Sequence, residues 1–125
     1  MAERIHSLGY RFDVPELVKA SNLLVQPSIS GEGLPRAVME AMSLGTPTVI
    51  TTTGGGKEVV EDGKSGFVVP VKDPTAIAAR VRTLYQQPDL CISMAKRGQD
   101  IIRNQLSAET TVDNFVSYFE TLIKE

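Results

Sequence analysis

The chain has one cysteine, one histidine and no tryptophan, and these absences narrow the chemistry at once. Cys91 has no second cysteine to form a disulfide with, and one His and one Cys cannot supply the clustered ligands of a zinc site. Aromatic residues make up 6% of the sequence, and 13 Lys and Arg face 15 Asp and Glu, for a formal charge of -2. Nucleic-acid binders carry a basic surplus, often interleaved with aromatic side chains, so no nucleic-acid partner is expected. The longest apolar runs, such as residues 67–71, reach about five residues, where a membrane span needs about 20. Met1-Ala2-Glu3-Arg4 has none of the apolar stretch of a secretory signal. The expected setting is reducing and cytoplasmic.

What is present has the make-up of one soluble globular domain: 125 residues, 42% hydrophobic and 22% charged. A chain of this length buries roughly two-thirds of its unfolded surface, enough for a core without metal or disulfide support. Residues 5–8, stopped by Gly9, read as a first strand. Asp13 and Pro15 open a helix carrying Val14, Leu17 and Val18. Leu23-Leu24-Val25, ended by Pro27, reads as a buried parallel strand. Pro35 opens a helix that Gly45 stops, with Ala37, Ala41 and Leu44 toward the core and Val38 and Met42 beside them. Residues 48–51 form the next strand, and a Gly-rich loop at 53–56 leads into a short helical turn. A last strand covers 67–69. Asp73-Pro74 begins a helix with Ile77, Val81, Leu84 and Tyr85 at helical spacing, and Pro88 starts another. Ser107 caps a final helix whose Val112, Phe115, Val116, Phe119, Leu122 and Ile123 form one apolar face, expected to pack on the sheet.

Strands alternating with helices predict an α/β fold: a partial Rossmann-like parallel sheet of about four strands, flanked by helices, with a helical C-terminal tail. Such sheets bind ligands at the carboxyl ends of their strands. The loop of residues 27–35 is the most informative candidate. Its small residues Ser28, Ser30, Gly31 and Gly33 let backbone N–H groups approach a ligand, and the helix after Pro35 adds unsatisfied donors and a partial positive charge. An anionic or hydroxyl-rich ligand fits that chemistry, and an ordinary strand-to-helix turn fits the residues equally well. Glu32 and Glu40 stand eight positions apart. Glu40, expected at the margin of the helix's core-facing side, has the chemistry to accept hydrogen bonds from ribose hydroxyls. Paired carboxylates are also the apparatus of glycosidases, but spacing along the chain gives no separation between them. A solvated pair of surface carboxylates is the simplest reading of the spacing taken alone. Gly54-Gly55-Gly56-Lys57 matches neither a Walker-type phosphate loop nor a dinucleotide fingerprint.

Taken as an ordered set, these residues resemble a known family. Glu32-Gly33-Leu34-Pro35 with Glu40-Ala41-Met42 and Gly45-Thr46-Pro47 is similar to the donor-site signature of retaining GT-B glycosyltransferases of family 4. Gly54-Gly55-x-x-Glu58, Asp62-Gly63-x-x-Gly66 and Val69-Pro70-x-x-Asp73 continue it in the same order, and the likeness runs from about residue 5 to the end of the chain. The resemblance implies transfer of a sugar from a nucleotide-activated donor with retention of anomeric configuration. It assigns Glu40 to the donor ribose, and Glu32 to the donor sugar as the catalytic carboxylate. It assigns the backbone around Gly31, Gly33, Leu34 and Pro35 to sugar or phosphate groups, and Tyr10 and Arg11 to the neighbourhood of the base. It implies no essential metal and no cofactor beyond the nucleotide-sugar substrate, because amides, a helix dipole and basic side chains offset the diphosphate charge.

The family's phosphate-binding Arg and Lys come from an earlier stretch of the same domain, and Lys57 and Lys64 do not match them. Residues 1–125 therefore read as a single partial domain, the second half of a donor-binding domain, without the N-terminal acceptor domain and with no turnover of its own. The expected partners are a nucleotide-sugar, the upstream segment of a full enzyme, and a second copy through an open sheet edge. For that full enzyme, a peripheral position at the inner membrane face stays open. The competing reading is a non-catalytic interaction domain that keeps the glycosyltransferase fold. A sugar-nucleotide epimerase of related fold is disfavoured by the motif series.

Overall fold

The computed structural model describes residues 2–31 and 33–123. A short 3-10 turn, Ala2–Arg4, is followed by α1 (Val14–Ala20), β1 (Leu24–Gln26), α2 (Arg36–Leu44), β2 (Thr48–Thr51), α3 (Gly56–Val59), β3 (Phe67–Val69), α4 (Pro74–Gln86), α5 (Pro88–Gln105) and α6 (Ala108–Ile123). The strands form one parallel sheet in the order β1-β2-β3, with Val25 opposite Val49 and Ile50 opposite Val68. Each crossover contains helix, as parallel pairing requires.

β2 is the centre of the molecule, and all four of its residues are buried. Successive side chains of a strand point to opposite faces. Ile50 accordingly joins Val38, Met42, Val59, Val60 and Ile101 on one face, while Val49 joins Phe67, Val69, Leu84 and Met94 on the other. α5, about 27 Å long at 1.5 Å per residue, supplies Met94 to one cluster and Ile101 to the other. Gly98 gives it room beside Met42, where an added Cβ would sit 3.4 Å from the Met42 Cγ. Local signals set the helix ends. Asp73 Oδ1 accepts from the Ala76 N–H at 2.8 Å at the start of α4. Gly45 stops α2 at φ 79°, a left-handed cap that glycine adopts without strain.

The α/β class and the helical C-terminal part stand as predicted, and five details differ. β1, read as a buried strand, lies at the edge of the sheet with Val25 exposed and its neighbours only half-buried. Residues 5–8 form no strand among the described residues, so the sheet has three strands rather than four. A strand exists only through its neighbours, and nothing pairs with this segment, which leaves Ile5 and Leu8 exposed. α2 presents Val38, Ala41 and Met42 to the core, while Ala37 is exposed. The stripe is rotated by about one residue, or about 100° of helix, from the predicted one. Tyr85, placed on the inner face of α4 by its spacing, is 87% exposed. The apolar face of α6 does not pack on the sheet: Val112, Phe115, Val116, Phe119, Leu122 and Ile123 are all exposed. No helix among the described residues is long and apolar enough to cross a membrane.

Candidate functional site

Because the sheet is parallel, the loops leaving β1 and β2 emerge at the same end and lie side by side. The β1 loop is drawn in by Thr51, the last residue of β2, whose Oγ1 donates to the Ser28 carbonyl at 2.6 Å and lies 3.4 Å from that of Gln26. Farther out, the Gly55 N–H of the β2 loop donates to the Gly33 carbonyl at 3.2 Å. Beneath these loops lies a crevice of about 10 Å³ lined by Gln26, Pro35, Val38, Ile50, Thr51 and Gly56, among others. It is too small for more than a water.

The predicted loop residues are brought together at this end. Gly31 takes φ 32°, within the left-handed region that glycine favours. Gly31, Gly33 and Leu34 are exposed, and Pro35 is buried at the N-cap of α2. No side chain among the described residues caps α2, and its first turn holds no acidic residue. The first-turn amides therefore remain unsatisfied donors beside the loop. Leu34 also walls a groove of about 420 Å³ whose other side is Leu106, Thr111, Asn114, Phe115 and Tyr118.

Glu40 lies a little more than one turn into α2. The rotation of the helix moves it from the expected core margin to the exposed side, and among the described residues its carboxylate has no hydrogen-bond or ion-pair partner. Glu32, predicted as the catalytic carboxylate, lies outside the described residues. Tyr10 and Arg11 precede α1. The C-terminal part of that helix is held at the amino end of β2, where Thr46 Oγ1 donates to the Val18 carbonyl at 2.9 Å. The start of α1 lies four residues, or about 6 Å along the helix axis, from that contact. Arg11 is engaged with Asp13, through Nε to Oδ1 at 2.7 Å and Nη2 to Oδ2 at 2.6 Å. This pairing lowers the Asp13 carboxyl from its ordinary range and raises the Arg11 guanidinium. Asp13 makes no side-chain cap to α1. Tyr10 is exposed, with its ring edge-on to Phe12 at 5.2 Å.

The two lysines near the Gly-rich loops part company. Lys57 stands exposed on α3 at the ligand end. Lys64 sits in the turn before β3, at the amino end of the sheet and away from the site. Of the two residues that tie the loops together, Thr51 was not predicted as a site residue, and Gly55 entered only as part of the motif series, with no role of its own. Their signal was the placement of a hydroxyl and a glycine at and just past the end of a buried strand, and it acquires meaning only once the two loops are known to be neighbours.

Residues 1–101 match the family described as "Glycosyl transferases group 1". EpsD of Bacillus subtilis is 31% identical over 120 residues, covering 94% of this chain and 31% of that protein. Among solved structures, Anabaena Alr3699/HepE in complex with UDP superposes with a TM-score of 0.89 at 27% identity, over 96% of this chain and 33% of that one. The same protein has been solved with UDP-glucose. The C-terminal domain of LpcC, a glycosyl transferase group 1 family protein of Francisella tularensis, shares the fold. Its TM-score is 0.74 at 23% identity, over 83% of this chain and 53% of that one. The chain spans about a third of the length of EpsD and HepE.

Proposed function

The chain belongs to the group 1 glycosyl transferases, and from that premise we propose that it is the donor-binding part of an enzyme that transfers a sugar from a nucleotide-sugar, with retention, to an acceptor. The observation that carries this reading is the pair of loops at the carboxyl ends of β1 and β2, joined through Gly55 and Gly33 beside the uncapped start of α2. The likeness to a protein solved with UDP and with UDP-glucose supports a uridine diphosphate sugar as the donor.

In this reading the amides of Gly31, Gly33 and Leu34, with the first turn after Pro35, hold the diphosphate and sugar. Glu40 accepts hydrogen bonds from the ribose hydroxyls, and its exposed, unpartnered carboxylate suits that role. Glu32 acts at the donor sugar as the catalytic carboxylate. Tyr10 is better placed than Arg11 to meet the base, because the Arg11 guanidinium is held by Asp13. The diphosphate charge is met by amides and the helix dipole without an essential metal. The acceptor is held by a domain beyond these residues, so the chain binds donor and does not turn it over. The expected setting is cytoplasmic.

Calorimetric titration with UDP and UDP-glucose tests this reading. The wild-type chain binds both, and Glu40→Ala weakens each by about tenfold or more, the loss of at least one hydrogen bond to a charged group. Failure of the wild type to bind either nucleotide would overturn the reading in favour of a non-catalytic interaction domain. Sugar transfer by the chain alone would overturn the claim that it lacks turnover.

A further inference from the structure

Gly55 adopts φ -74° and ψ 3°, a conformation open to any L residue, so its backbone does not require glycine. Its surroundings leave a side chain little room. A Cβ there would stand 3.1 Å from the Gly33 carbonyl oxygen, 3.3 Å from the Gly33 carbonyl carbon and 3.0 Å from Leu34 Cδ2. The Leu34 methyl can swing aside, but the Gly33 peptide can retreat only by carrying the β1 loop with it.

The two sides of this contact differ in firmness. Gly55 is anchored from below. Its carbonyl accepts the Glu58 N–H at 3.0 Å, and the next residue, Gly56, is buried where a Cβ would lie 2.7 Å from Ile50 Cδ1. Val59 and Val60, which follow, belong to the core. Gly33 is exposed, and a Cβ on it would meet nothing within 4 Å. Crowding at position 55 is therefore relieved outward, by displacement of Gly33 and Leu34 rather than of the core.

We infer that Gly55 is a positioning residue: its bare backbone, fixed by the core through α3, sets where Gly33 and Leu34 stand, and through them the amides that receive the sugar and diphosphate of the donor. This deepens the donor-binding reading and rests on it. The proposed function gives the nucleoside end of the donor to Glu40 rather than to these amides, so a loss confined to the phosphate and sugar end is a signature that general destabilisation lacks.

The test compares wild type with Gly55→Ala, using backbone NMR and hydrogen exchange on the ligand-free chain and NMR titration with UDP-glucose and uridine. Residue 55 is expected to exchange its amide about tenfold faster, as for the loss of one hydrogen bond. The Gly33 and Leu34 resonances should move while β2 amides keep their protection. UDP-glucose affinity should fall about tenfold and uridine affinity stay within about twofold. Leu34→Ala/Gly55→Ala, which removes the Leu34 contact and keeps the Gly33 one, should remain displaced, and it serves if the single variant does not fold. Unmoved Gly33 and Leu34 resonances, or equal losses for UDP-glucose and uridine, would overturn the inference. If the wild type binds no UDP-glucose, the donor reading falls by itself, and an undisplaced loop in the free variant still refutes the role of Gly55.

Discussion

Gly66 lies against Thr48 so closely that a Cβ on it would stand 2.7 Å from both the Thr48 carbonyl oxygen and its Oγ1. Gly66 leads into β3 just where that strand joins β2, and its carbonyl accepts the Gly63 N–H at 2.8 Å across the preceding turn. Both residues are buried, and one of the opposing atoms is backbone, so there is little to yield. Gly66→Ala is expected to lower stability by about 1–3 kcal/mol, the usual cost of overpacking. Urea unfolding should show a lower midpoint at unchanged slope, and an unaltered midpoint would refute this account of Gly66.

Glu61 joins the segment before β3 to α5. Arg97 Nε donates to its Oε2 at 2.8 Å and Nη2 to its Oε1 at 2.5 Å. The guanidinium holds the Glu61 carboxyl below its ordinary range. A depressed folded-state pKa gives stability that is fully present above the unfolded value, about 4.3, and is lost as pH falls through the lower folded value. The thermal stability advantage of wild type over Glu61→Gln should therefore be present at pH 7 and shrink below about pH 4. Both side chains are partly exposed, so 1 M salt should also reduce the difference. A gap that widens in acid would contradict the assignment.

Leu24 donates its N–H to the Pro47 carbonyl at 2.9 Å. Alternation along a strand therefore turns the N–H and C=O of Val25 away from β2, toward an edge where no strand pairs among the described residues. β1 carries no charged side chain to guard that edge. Association of two copies along it should make the sedimentation of the wild-type chain depend on concentration. Val25→Pro removes the outward donor and leaves the β1–β2 ladder intact, so it should shift the chain toward monomer. A wild type that stays monomeric at high concentration would rule out this contact.

Donor binding through amides and a helix dipole should be indifferent to divalent cations. UDP-glucose affinity is expected to agree within about twofold in excess EDTA and in millimolar Mg²⁺, against the tenfold steps that each 1.4 kcal/mol would produce. A tenfold or greater gain with Mg²⁺ would show that a metal shares the diphosphate charge.

Much of the fold was legible where its causes are local. Asp73 before Pro74, Gly45 after α2 and Ser107 before α6 act within one turn of chain, and each behaves as its residue type predicts: the Ser107 Oγ accepts the Thr110 N–H at 3.1 Å. Where partners lie far along the chain, legibility failed. Residues 5–8 have a strand's composition but no neighbour, Tyr85 has a core residue's spacing on an exposed face, and α6 carries an apolar stripe that nothing among the described residues covers. For the site, residue types and order pointed to the loop of residues 31–35 and to Glu40. The direction of Glu40 depended on a helix rotation that spacing alone misjudged by about one residue.

The sequence by itself determined the order of helices and strands from α1 onward, the Gly45 cap and the motif series that identifies the family, because each rests on residue type and near spacing. Only the tertiary structure decided that Gly55 and Gly33, 22 positions apart in the chain, meet at 3.2 Å. The physical reason is the parallel pairing of β1 with β2, which delivers both loops to one end of the sheet, where the backbone of one sets the position of the other.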